Sequence, residues 1–137
     1  MRKPREGFIY QKFIHNETED DQVVDLRVPI VKRTLDFAYV KYCPHAIRFT
    51  NDTAKTALKA IDTLFSKEEI EKINRYVAPI HLDYGELDIL RDRDDHNIYI
   101  VDVNNTPQGP PKHLPAKDGR RVISPIAKAF EEAFIKQ

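Results

Sequence analysis

Apolar and polar residues alternate along two stretches late in the chain, YGELDIL (84–90) and NIYIVDVN (97–104), with the polar run RDRDDH between them. Alternation of period two with β-branched residues predicts two strands and a turn, an antiparallel hairpin centred near residue 95. Facing residues then sum to about 190, so Asp88 meets Asp102 and Glu86 meets Asn104. On that register Leu87 and Ile89 share a core face with Tyr99, Val101 and Val103. The other face carries the acids together with Leu90, Ile98 and Ile100.

The same reading predicts strands earlier, at GFIYQKFI (7–14), QVVDLRVPIV (22–31), FAYVKYC (37–43) and IRFT (47–50). Pro29 lacks a donor, which points to an edge or a bulge there. Ala54, Ala57, Leu58, Ile61 and Leu64 recur at helical spacing, which predicts a helix over 53–65. A second helix follows an S-x-x-E capping box at Ser66 and Glu69, with Phe65 and Ile70 at staple positions, and Pro79 stops it. A last helix is predicted over about 124–136, with Ser124 as N-cap and Pro125 at its first position. Strands dominate, the helices come late, and there is no regular βαβ alternation. The predicted class is α+β: a mainly antiparallel sheet with helices packed on one face, in a single domain spanning 1–137.

Length and charge narrow the function. At 137 residues the chain suits one domain with a real core. Its 22 basic and 22 acidic residues leave no electrostatic footprint for nucleic acid or an anionic membrane. A single cysteine, Cys43, fits a reducing compartment, and no apolar stretch is long enough to span a bilayer, so a cytoplasmic location is expected. The five histidines show no metal-ligand spacing and read as surface or structural residues.

The opposed acids carry the chemistry. Side chains directly across an antiparallel pair have Cβ atoms about 4.5–5.5 Å apart, and like charges there repel. Two carboxylates at that spacing call for a shared proton or a cation between them. Two carboxylates and the Asn104 amide form an all-oxygen donor set suited to Mg²⁺ or Mn²⁺, with phosphate oxygens completing the shell. A register shifted by one residue would instead place the acids on a wet outer face.

The stretch LDYGELDILRD…NIYIVDVNNTPQGPP resembles the C-terminal lobe of the ATP-grasp superfamily, whose pattern is a mid-strand acid, a short turn, and a strand ending in acid-x-Asn before a Pro-containing loop. The resemblance spans roughly residues 8–112 and implies a ligase joining a carboxylate to a nucleophile through an acyl-phosphate, with ATP and Mg²⁺ as cofactors and a small-molecule carboxylate as substrate. It implies metal ligation by Asp88, Asp102 and Asn104. It implies adenine contacts along YQKFI, at Gln11, Lys12, Phe13 and Ile14, and a ribose-binding acid within Glu17–Asp21. In DLRV (25–28) it implies a catalytic, phosphate-facing role for Arg27.

An ATP-grasp enzyme clamps ATP between two lobes, and nothing before Phe8 supplies the first, so the expectation is a C-terminal piece that needs that lobe or a homodimer partner. Two other readings stand beside the ligase lobe: a non-catalytic interaction module derived from it, and a two-metal phosphoester hydrolase.

Overall fold

The structure, a computed structural model, describes residues 5–48 and 55–136. Its centre is an antiparallel sheet of strands β1 (Gln22–Val31), β3 (Phe37–Pro44), β4 (Lys55–Ala60), β5 (Tyr84–Arg91) and β6 (Ile98–Asn104). They run in the order β4-β3-β1-β5-β6, and a two-residue strand β2 (Arg33–Thr34) folds back on the end of β1. Helix α1 (Lys67–Val77) follows β4, and helix α2 (Ala116–Phe134) ends the described chain.

Alternation divides the sheet into two faces. Leu26, Val28 and Ile30 of β1, Ala38 and Val40 of β3, and Leu87 and Ile89 of β5 pack against Phe65, Ile73 and Val77 of the α1 segment in the main core. Helix α1 forms where the sequence predicts it. The Ser66 hydroxyl accepts from the Glu69 N–H, and the Glu69 carboxylate accepts from the Ser66 N–H. On the opposite face Phe37 and Tyr39 of β3 pack against Leu114 and Val122.

The α+β class and the antiparallel sheet match expectation, but the helices do not share a face. Helix α1 covers one side and α2 part of the other, because odd-numbered Phe37 and Tyr39 are as apolar as their even-numbered neighbours and need their own cover. Helix α2 also starts at Ala116 rather than near Ser124, and it takes Pro125 into its interior. Proline there removes an N–H that would have bonded the carbonyl four residues back. Burying Val122 and partly burying Ile126, on either side of it, outweighs that loss.

Two further segments depart from their local pattern. Residues 55–60 pair with β3 as strand β4, from Phe37↔Ala60 to Tyr42↔Lys55, where helical spacing predicted a helix. Pairing with a buried neighbour overrode the local preference. The predicted helix's Thr53 and Ala54 lie outside the described residues, as do Phe49 and Thr50 of the predicted strand 47–50. Ile47 closes a 3₁₀ turn instead of joining a strand.

Residues 7–14 form no strand either: β3 and β5 flank β1 on both sides, and the first bridge of this region is Glu17↔Val23. Phe8, Ile9, Tyr10 and Phe13 are exposed, and Ile14 alone of this stretch is buried. Pro29 lies in the central strand, but beyond the last β1–β3 pair, Arg27↔Tyr39. Its missing donor therefore falls where the ladder has already opened.

Candidate functional site

The hairpin register puts Asp88 opposite Asp102 and Glu86 opposite Asn104, as the alternation predicts. Past that rung the register shifts: Ile89 pairs with Ile100, leaving Val101 as an extra residue on β6. This bulge corrects the rest of the predicted register. It turns Ile98 and Ile100 onto the main core, and sends Tyr99 to the acid side. Val101 and Val103, expected in the core, are exposed on the edge strand.

Antiparallel pairing extends the acid face across the sheet. Asp88 pairs with Arg27, and one step along β1 Asp25 pairs with Lys41, which pairs with Thr56. The floor of one open cavity of about 960 Å³ therefore carries Asp25, Arg27, Lys41, Thr56, Asp88 and Asp102, with Asn104 at its rim. The loop after β6 forms a wall through Thr106, Gln108 and residues 109–113.

Within this groove Asp88 is already neutralised. Arg27 Nε and Nη2 donate to its two oxygens at 2.8 and 2.9 Å, and Lys41 Nζ stands 3.5 Å away. Burial raises the Asp88 carboxyl, but the Arg27 hydrogen bonds and the Lys41 charge outweigh it and hold the group below the usual carboxylate range. Glu86 has Arg27 Nε only at 3.6 Å, and burial pushes its carboxyl up. Burial likewise raises Asp25, against the pull of Lys41 at 3.9 Å. The Arg27 guanidinium is raised by its hydrogen bonds to Asp88.

The donor set fits a hard, oxygen-ligated cation. The Asp102 side chain is exposed and makes no hydrogen bond or ion pair among the described residues, while its charge adds to those that raise Arg27. Asn104 Oδ1 accepts from the Thr106 N–H at 2.9 Å and from the Thr106 hydroxyl at 3.4 Å, which closes the turn after β6; a cation there would take the place of the longer bond. Asp88 also keeps lone pairs beyond those Arg27 engages. Among the described residues no three His, Cys, Asp or Glu side chains cluster as a metal site. Two carboxylates and an amide are oxygen donors of the type Mg²⁺ takes, an ion that draws most of its shell from phosphate and water.

The structure thus brings Arg27, Asp88, Asp102 and Asn104 into one groove. Gln11, Lys12, Phe13 and Ile14 do not line it. Lys12 Nζ instead contacts Asp92 and Asp95, each at 3.0 Å, and the Tyr99 hydroxyl at 2.7 Å. Phe13 stacks under Arg48, which also bonds the Ile14 carbonyl and pairs with Glu17 at 2.7 Å. The Glu17–Asp21 acids likewise stand outside the groove lining.

Sequence reasoning takes Lys41 as an exposed sheet cation and His113 as a surface or structural residue, and does not single out Thr56 or Lys112. Lys41 carried a signal, a cation inside an apolar strand; the others became part of the groove only through strand pairing and the course of the loop.

Comparison with protein-family models and with curated proteins finds no match for this chain.

Proposed function

We propose that the chain is the ATP- and Mg²⁺-binding lobe of an ATP-grasp-type carboxylate ligase, acting on a small-molecule carboxylate through an acyl-phosphate. The observation that carries this reading is the rung Asp88↔Asp102 beside Glu86↔Asn104, on one sheet face with Arg27 and Lys41 and open to a large groove. Asp102, Asn104 and the free lone pairs of Asp88 hold the cation. When bound, Mg²⁺ screens the charge of the nucleotide phosphates. Arg27 and Lys41 present fixed positive charge where negative charge spreads during phosphoryl transfer. The clamp is completed by a second lobe or a second copy of the chain, and the reducing cytoplasm is the expected compartment.

A second reading is favoured by one observation. Both oxygens of Asp88 are held by Arg27, as in a structural ion pair, which suits a non-catalytic module derived from such a lobe. Titration calorimetry with ATP, with and without Mg²⁺, separates the two. The ligase lobe requires metal-dependent binding that is lost in Asp102→Ala with the fold intact. A well-folded chain with no ATP binding under either condition sinks nucleotide handling by this polypeptide.

A further inference from the structure

The groove is larger than a cation site needs, and its two ends differ. Ligand pockets run to about 300–1,000 Å³, so a cavity of about 960 Å³ lies at the top of that range and has room for more than one small molecule. The acid rung occupies the β5–β6 side. At the other side the loop after β6 crosses the sheet, because Leu114 is buried against Phe37 and Tyr39 of β3. His113 lies one residue before that anchor, so its Cα is about 3.8 Å from that of Leu114. Lys112 and His113 are thereby brought to the β3 side of the face, where Lys41 stands two residues beyond Tyr39 and Thr56 is its partner on β4. The loop contains Pro107, Pro110 and Pro111, which restrict its backbone.

Two observations mark this end as a binding site. The Thr56 Oγ1 is buried, with the residue 2% exposed, and has no hydrogen-bond partner among the described residues. A buried hydroxyl left unpaired is costly, and natural structures rarely leave one so. Lys112 and His113 line the cavity, and no hydrogen bond or ion pair engages either among the described residues. The other cations of the lining all have carboxylate partners: Arg27 with Asp88, Lys41 with Asp25 and Asp88, and Arg48 with Glu17. Helix α2 begins at Ala116, close behind this wall, without a side-chain N-cap.

We propose that the β3–β4 end of the groove, formed by Lys41, Thr56, Lys112 and His113, binds the oxyanion of a second ligand without a metal. Its oxyanion is a carboxylate or a phosphate, and the ligand is distinct from the one held at the acid rung. The inference rests on the proposed ligase function only in naming that ligand a co-substrate. Lys112 supplies the charge, His113 presents a ring N–H, and the Thr56 hydroxyl donates its hydrogen bond to the oxyanion.

The test is an amide NMR titration of the metal-free chain with inorganic phosphate and, separately, with succinate. Saturable shifts at Thr56, Lys112 and His113 are expected with at least one probe, and the responding probe identifies the source of the oxyanion. The double variant Lys112→Met/His113→Gln, on an exposed wall, is expected to weaken that binding at least tenfold, while Asp102→Asn leaves it in place. Absence of saturation with both probes overturns the proposal. So do shifts confined to Arg27 and Asp102, or unchanged affinity in the double variant. A parallel titration with Mg²⁺-ATP, read at Asp102 and Asn104, reports separately on the nucleotide reading.

Discussion

The β5–β6 hairpin ends in two charge clusters of opposite character. At its turn, Asp92 is 1% exposed and meets Lys12 Nζ, Asp95 takes the same amine and the Tyr99 hydroxyl, and the Asp94 and Asn97 N–H groups donate to these two acids. Arg91 then ties the hairpin to α1 through Glu69 at 2.8 and 2.9 Å. At its root, Asp88 and Asp102 are opposed: Arg27 and Lys41 hold Asp88, Glu86 has Arg27 at 3.6 Å, and the Asp102 side chain makes no hydrogen bond or ion pair among the described residues. The turn is a closed network that fixes the N-terminal arm. The root keeps lone pairs in reserve beside an open groove. The same residue types are thus fully engaged at one end and only partly engaged at the other, and the proposed ligand role draws on that difference.

The contrast breaks most severely at Gly85, whose added Cβ would stand 2.5 Å from the Asn104 carbonyl and 2.7 Å from Leu82. Gly85→Ala therefore forces β6 away from the root rung and is expected to destabilise the chain by about 3 kcal/mol, measured by urea unfolding. Arg27→Met leaves Asp88 without its main partner. A loss of about 2 kcal/mol is expected, since charge-assisted hydrogen bonds of this kind are worth about 1.5–3 kcal/mol. Added Mg²⁺ should return more stability to this variant than to the parent chain.

At the turn, Lys12→Met removes the cation shared by Asp92 and Asp95. A lower melting temperature is expected, with both carboxyls titrating at higher pH when followed by NMR. The smallest effect belongs to Asp102→Asn, whose exposed side chain makes no hydrogen bond or ion pair among the described residues, and its unfolding free energy should stay within about 0.5 kcal/mol of the parent.

Acidity sets Glu86 and Asp25 apart from the turn acids, and Asp88, paired with Arg27, sides with the turn. The Asp94 N–H and the Lys12 ammonium lower Asp92, the Tyr99 hydroxyl and the Asn97 N–H lower Asp95, and the Arg27 pair lowers Asp88 despite burial. A depressed folded pKa gives stability that is complete above the unfolded value of about 4 and is lost as pH falls below it. Glu86 and Asp25 are raised by burial, so their contribution is present below about pH 4 and is lost as pH rises through their folded values. On acidification the Lys12–Asp95–Tyr99 contacts should therefore be among the last to go, because Asp95 is held furthest below its usual range, and shifts at Tyr99 should follow those at Asp88.

The hairpin was legible because period-two alternation and the polar turn specify a register, and the rung 86–88 against 102–104 follows from it. The bulge at Val101 was not, since nothing in IYIVDV distinguishes an extra residue from a regular one. Helical spacing in TALKAI was a true local pattern that lost to pairing with β3. The capping box at Ser66 and Glu69 was readable because both hydrogen bonds are made within one turn. Helix α2 was misplaced because the interior Pro125 mimics a start signal, while the burial of Val122 and Ile126 that carries the helix past it depends on distant Phe37 and Tyr39. Of the site, the acids could be seen in sequence. The Asp25–Lys41–Thr56 row could not, because it spans three strands. Lys12 sat in a segment that looked like a strand, and its role emerged only from the turn of the hairpin.

The most direct test of the open root is a Mg²⁺-ATP titration of the full chain followed by amide NMR. Saturable, metal-dependent shifts at Asp88, Asp102 and Asn104, absent in Asp102→Ala and without change at Asp92 or Asp95, are expected. Saturation confined to the turn, or none at the root while the fold stays intact, would contradict the assignment of this rung as the ligand site.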